Sequence, residues 1–228
     1  MDVVLKGNRL MKDSSRRYIE EIVVRYPALE VCFEAIVRGT EIIIECYRNG
    51  GKLLLCGNGG SAADCEHIVG ELMKGFCLSR KLSAEKAARI RNVLLEDADD
   101  LISHLQEALP AISLISHTSL STAFSNDLSA DYCFAQQVYG YGRPGDVLIA
   151  ISTSGNSKNV IFASQIAKSI GMKVLALTGQ NGGKLKAWSD VLINVPSNIT
   201  HHIQEYHLPI YHTICMAVEN DFFGTPGE

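Results

Sequence analysis

Lys52-Leu53-Leu54-Leu55-Cys56-Gly57-Asn58-Gly59-Gly60-Ser61 is the stretch from which the fold can be read. A short apolar run bounded by a glycine-rich turn suits a strand buried on both faces of a parallel sheet. The segment after Ser61 has helical character, so the turn joins a strand to a helix. Its glycines allow close backbone approach to a ligand, and Ser61 is suited to cap the helix.

The same rhythm recurs outward from this unit. Apolar runs at Ala111–Ile115, Asp146–Ile151, Lys173–Thr178 and Asp190–Val195 alternate with helical stretches at about 61–76, 126–140, 157–171 and 202–223. This alternation predicts an α/β fold, a three-layer sandwich in which helices flank an open five-stranded parallel sheet. The 228 residues suit one domain spanning 1–228. Ahead of the first strand, residues 13–49 read as helix broken at Pro27, within helices that occupy about 1–50. Val31, Cys32, Phe33, Ile36, Val37, Ile42, Ile43 and Ile44 cover most of a helix circumference, and subunit association is the simplest cover for them. Residues 78–109 interrupt the rhythm. Ser83 as a cap and the spacing of Ala87, Ile90, Val93, Leu94, Leu101, Ile102 and Leu105 predict an inserted amphipathic helix or helical hairpin outside the sheet.

Composition narrows the function. Residues are 46% hydrophobic and 20% charged, and the net charge is −4, so no basic field exists to bind a nucleic-acid backbone. The 7 cysteines are odd in number and none forms a CxxC pair, as expected of reduced thiols. The N-terminus lacks a signal-peptide pattern, and no run of about 18 apolar residues indicates a membrane span. The expected address is cytoplasmic, with neither nucleic acid nor membrane as partner.

Two loops carry the binding chemistry. Asn58-Gly59-Gly60-Ser61 follows the first strand, and Ser152-Thr153-Ser154-Gly155-Asn156-Ser157 follows the third. Four hydroxyls in six residues ahead of a helix N-terminus form a phosphate cradle that needs no lysine, whereas a helix cap needs one hydroxyl. His67 and Glu71 stand four apart on the helix after Ser61 and share a face, a spacing suited to a metal pair, a base with its orienting partner, or a simple surface contact. His201, His202, His207 and His212, with Gln204, form a histidine-rich stretch near the C-terminus.

The series Gly57-Asn-Gly-Gly-Ser61, Asp64-x-x-His67-x-x-x-Glu71, Asn126-Asp127, Ser152-Thr-Ser-Gly-Asn-Ser157 and Ile203-Gln204-Glu205 followed by His212 resembles, in order and spacing, the sedoheptulose 7-phosphate isomerase (phosphoheptose isomerase) family. That family is built on the flavodoxin-like SIS (sugar isomerase) domain. The resemblance implies a homotetramer with active sites at subunit boundaries. Asn58, Gly59, Gly60, Ser61, Asn126, Asp127, Ser152, Thr153, Ser154, Ser157 and Gln204 would hold the sugar phosphate, and Glu71 and His212 would be the acid/base pair. One zinc ion (Zn2+) per subunit would be held by His67, Glu71, Gln204 and His212. The implied reaction interconverts sedoheptulose 7-phosphate and D-glycero-D-manno-heptose 7-phosphate through an enediol, for activated heptose in lipopolysaccharide and other cell-surface polysaccharides. Alternatives are an isomerase for another ketose phosphate, or a non-catalytic SIS module like the DnaA-initiator-associating protein. The sequence departs from the family pattern in the length of 78–109, in His201 where an aspartate is common, and in Pro209, which is expected to kink the helix between Gln204 and His212.

Overall fold

The computed structural model describes residues 10–94, 96 and 98–225. The five apolar runs form β1 (Leu53–Gly57), β2 (Ala111–Ser113), β3 (Val147–Ile151), β4 (Lys173–Thr178) and β5 (Val191–Asn194). They build one sheet in the order β2-β1-β3-β4-β5, with every neighbouring pair parallel. Leu53 pairs with Ala111 on one side and Val147 on the other, so the winding reverses between β1 and β3. Such a reversal opens a crevice beyond the carboxyl ends of the two strands.

The helices are α1 (Asp13–Arg25), α2 (Phe33–Arg48), α3 (Gly60–Met73), α4 (Ala84–Leu94), α5 (Ala98–His104), α6 (Thr118–Asp127), α7 (Cys133–Tyr141), α8 (Lys158–Ser169) and α9 (Thr200–Phe223). Side chains alternate between two cores, as the period of a strand requires. Leu53, Leu55, Ile149, Ile151, Leu175 and Leu177 join the core shared with α1, α2, α3 and α9. Leu54, Cys56, Leu148, Ala150, Val174 and Ala176 join the core under α7 and α8.

Four expectations from the sequence change here. Pro27 opens a 3-10 turn, Pro27–Cys32, and α2 follows with Ile36, Val37, Ile43 and Ile44 buried by this chain's own α1, α9 and sheet. Phe33 and Ile42 stay partly buried and Val31 is exposed, so this chain covers only part of the apolar breadth. The single helix at 126–140 is two, because Ser129 Oγ accepts from Asp131 N (3.3 Å) and starts a separate 3-10 turn before α7. Ser61 is not the cap of α3: Gly59, at φ 58°, holds that position and no side chain caps the helix. Pro209 lies inside α9 without interrupting it.

The insertion forms a helical hairpin, α4 and α5, in which only Ala87 and Ala98 are buried. Ser83 caps α4 through its Oγ to Lys86 N (3.3 Å). An isolated bridge between Lys81 and Gln106 joins the two ends of the segment, and Glu107 N donates to Arg80 O (2.7 Å). Its flanks are core: Arg80 and Leu109 are buried.

Arg80 is the largest fully buried side chain, and its Nε donates to Glu219 of α9 (2.7 Å). The Glu219 carboxylate also accepts from the backbone N–H groups of Phe76 (2.8 Å), Cys77 (2.7 Å) and Leu78 (3.1 Å). Arg80 in turn donates to the carbonyls of Leu72 (2.6 Å) and Glu71 (3.1 Å), and its guanidinium lies over the Phe223 ring. A buried ion pair persists when such hydrogen bonds satisfy its remaining groups, and removing one partner leaves an uncompensated charge. Glu219→Gln is therefore expected to destabilise the fold by about 3–5 kcal/mol in urea denaturation at fixed protein concentration. A loss below about 1 kcal/mol, the range of an exposed pair, would contradict this reading.

Candidate active site

Two loops flank the crevice between β1 and β3. The loop after β3 places Ser152 Oγ 3.1 Å from Ser157 Oγ, with Ser152 buried. Ser154 Oγ accepts from Asn156 N (3.1 Å), folding the loop on itself. The N-termini of α8 and α3 both face the crevice, where the helix dipole favours a dianion; in α8 Asn159 Oδ1 accepts from Val160 N (3.0 Å), and in α3 the Ser61, Ala62 and Ala63 amides bond the carbonyls of Asn58 and Gly59. Asn58 and Asn159 exchange two amide hydrogen bonds of 2.9 Å each and tie the loops together.

Two glycines show how closely these loops are approached. Gly155 lies at φ 63°, and a Cβ there would overlap the Gly182 carbonyl, so the loops after β3 and β4 interlock. A Cβ on Gly60 would overlap the side-chain amide of Gln204, which rests on the first turn of α3.

A second cluster lies ten residues further along α3, roughly 15 Å at 1.5 Å per residue. His67 Nε2 is 3.1 Å from Glu71 Oε1 and 3.5 Å from His212 Nε2. His67 Nδ1 is 3.0 Å from Tyr211 Oη, which donates to Asp64 Oδ1 at 3.3 Å. Phe76 closes one side of His212, with ring centroids 5.5 Å apart. Glu71 is half-buried; its Oε2 has no hydrogen bond and lies 3.6 Å from Lys74 Nζ. Burial, helped by His67, holds His212 below the ordinary imidazole range, with Glu71 pulling the other way. That shift favours the neutral imidazole, the form able to accept a proton. Burial and the Asp64 carboxylate hold Tyr211 above the ordinary phenol range.

The structure thus brings together His67, Glu71 and His212, and separately Asn58, Gly59, Gly60, Ser61, Ser152, Thr153, Ser154 and Ser157 around the crevice. Gln204 sits over the glycine loop, and among the described residues no hydrogen bond joins it to His67, Glu71 or His212. Asn126 donates to Asp127 Oδ1 (3.0 Å) at the exposed end of α6. Among the described residues no three His, Cys, Asp or Glu side chains surround a common ion position. Of the C-terminal histidines, His207 is a core residue: burial lowers it to about 4, and its Nε2 meets Thr178 O at 3.3 Å. His201 and His202 are exposed and meet edge to face. Tyr211, Asp64, Arg80 and Asn159 were not among the predicted site residues, although Asp64, His67 and Glu71 share one helical face at spacings of three and four.

Residues 17–101 and 101–179 match the SIS domain family. The phosphoheptose isomerase of Shewanella baltica is 39% identical over 216 residues, covering 93% of this chain and 95% of that relative. The solved phosphoheptose isomerase GmhA of Neisseria gonorrhoeae is 36% identical with a TM-score of 0.66, covering 91% and 92% of the two chains. The solved phosphoheptose isomerase of Francisella tularensis is 31% identical with a TM-score of 0.71, covering 91% and 97%.

The interlocked loops give a direct test. Gly155→Ala forces a Cβ into a left-handed position against backbone and is expected to cost more than about 1 kcal/mol. Gly140→Ala, in α7 with open space around it, should be neutral or stabilising by up to about 1 kcal/mol. Equal midpoints for the two variants in thermal melts would contradict the packing described.

Proposed function

The chain belongs to the SIS-domain family and to its phosphoheptose isomerases, and on that basis we propose how its own residues interconvert sedoheptulose 7-phosphate and an aldoheptose 7-phosphate. The observation that carries the reading is the meeting of Glu71 from α3 with His212 from α9 through His67, at 3.1 and 3.5 Å. Glu71 takes the proton from C1 of the ketose and returns it to C2 of the enediol. His212 moves the proton between the two oxygens. Ser152, Thr153, Ser154 and Ser157, with the N-terminus of α8, hold the phosphate, and Asn58 and Ser61 border it. This remote grip orients the reacting carbons and limits misaligned poses. The length of α3 between Ser61 and Glu71 suits an extended acyclic sugar with phosphate at one end and carbonyl at the other.

Two imidazoles and a carboxylate are donor types that zinc takes, although the three side chains do not surround a common ion position as they stand. Two ligands on a tetrahedral zinc, each about 2.0–2.1 Å from it, lie about 3.3–3.4 Å apart, close to the separations around His67 Nε2. The unbonded Glu71 Oε2 is a further donor in need of a partner. We assign His67, Glu71 and His212 as zinc ligands, with Gln204 as the fourth by family resemblance. Bound zinc would supply polarisation of the substrate carbonyl.

A homotetramer is part of this reading. Val24, Met73 and Leu208 are exposed apolar side chains on α1, α3 and α9, close to a cavity of about 350 Å³ beside His212 that includes Arg25 and Phe76. A second copy on this face would cover them and enclose the site. The chain has no helix, among the described residues, long and apolar enough to cross a membrane, and we place the enzyme in the cytoplasm.

Two measurements test the assignment. Glu71→Gln keeps the side-chain size and is expected to lower kcat by about 10²–10⁴ while KM changes little. Near-normal kcat would place the base elsewhere. Removal of zinc by a chelator should lower turnover and readdition should restore it; full turnover of a preparation verified as metal-free would remove zinc from the reaction.

A further inference from the structure

Asn58, in the loop after β1, and Asn159, in the first turn of α8, form a cyclic amide pair across the crevice. Asn58 Nδ2 donates to Asn159 Oδ1 and Asn159 Nδ2 donates to Asn58 Oδ1, both at 2.9 Å. An isolated pair of this kind could be turned over as a unit, each amide exchanging N for O, and keep both bonds. A third contact removes that freedom. Val160 N lies 3.0 Å from Asn159 Oδ1, and a backbone N–H only donates, so the atom it meets must be the carbonyl oxygen. The Asn159 amino group then points at Asn58, and the Asn58 atom facing it must be oxygen. Turning the Asn58 amide over by itself would set amino group against amino group and carbonyl against carbonyl, and both bonds would be lost. The backbone of α8 thus dictates the orientation of an exposed loop amide. Among the described residues no hydrogen bond uses the second N–H or the second carbonyl lone pair of Asn58. Its neighbours Gly59 and Gly60 have no side chains to cover them.

We propose that Asn159 is a positioning residue that acts through Asn58: held by the Val160 amide, it fixes which side of the Asn58 carboxamide donates and which accepts when a sugar phosphate enters the crevice. This inference rests on the isomerase reading given above and deepens it, because the same loops hold the ligand. The order of donor and acceptor matters because a phosphate oxygen or a sugar carbonyl only accepts. An amide turned the wrong way would meet such a group with its own oxygen. The lock sets the order before the ligand arrives, so binding does not bear the cost of ordering the amide. Asn159 itself needs no contact with the ligand.

Two measurements on the full-length chain test this, and the first needs no ligand. In ¹⁵N NMR spectra of the side-chain amides, assigned by their loss in Asn58→Ala and Asn159→Ala, one proton of each amide should be protected from solvent exchange in the wild type. Asn159→Ala should return Asn58 to the shifts of a freely exposed amide; an Asn58 signal that does not move would overturn the proposal. The second is a double-mutant cycle on the Kd for sedoheptulose 7-phosphate, measured by calorimetry in a Glu71→Gln background to suppress turnover. Asn58→Ala and Asn159→Ala should each weaken binding about 3–10-fold, the range of one neutral hydrogen bond. The double variant should bind no more weakly than Asn58→Ala alone. If Asn159 serves only the hydroxyl loop and the first turn of α8, its loss weakens binding whether or not Asn58 is present, and the two factors multiply. That result, or unchanged affinity in either single variant, would overturn the proposal. With Glu71 in place, Asn159→Ala should raise KM and leave kcat little changed. A wild type that binds the sugar phosphate and shows the coupling, yet does not isomerise it, would retire the isomerase reading and leave this inference standing; a wild type that binds none would sink both.

Discussion

The geometry of the reactive cluster depends on one buried ion pair, Arg80 with Glu219. Glu219 anchors the chain leaving α3 by accepting three successive backbone N–H groups. Arg80 closes the same helix by taking the carbonyls of Leu72 and of Glu71 itself. The C-terminal turn of α3 is thereby fixed against α9, and with it the separation of Glu71 from His212. Burying two charges is costly, and the cost is offset here because the carboxylate's and guanidinium's hydrogen-bonding groups are extensively used. The insertion departs from this clamp, so an exposed helical hairpin is carried without disturbing the residues next to it.

The loops beyond β1 and β3 obey a different constraint, that of the sheet. Parallel strands with a reversal of winding between β1 and β3 bring two helix N-termini to one crevice. Gly155 permits the loops after β3 and β4 to interlock, and the Asn58–Asn159 pair links the loops after β1 and β3. The two candidate clusters are thus held by separate means along α3. One is set by sheet topology and the other by a polar clamp between helices.

This division explains what was legible in the sequence. The strands were, because a parallel sheet with two cores makes each strand apolar at most positions, and turn residues mark its ends. The hydroxyl loop and the i,i+4 pair His67 and Glu71 were legible because each lies within one short segment. The clamp was not: Arg80 and Glu219 are 139 positions apart, and a charged residue in sequence gives no sign of being buried. The break between α6 and α7 depends on one Ser129 hydrogen bond inside a segment with uniform helical character. The apolar breadth of α2 read as a subunit contact because the sequence does not reveal that α1 and α9 cover part of it.

The central claim is that this cluster moves a carbon-bound proton of a sugar phosphate. It is tested most directly by incubating the protein with sedoheptulose 7-phosphate in D₂O and following the mixture by NMR. An enediol route through Glu71 predicts an aldoheptose 7-phosphate carrying deuterium at C2, with exchange at C1 of the remaining ketose. Ketose phosphate that binds but shows neither new aldose signals nor exchange at C1, with zinc present or absent, would contradict the account.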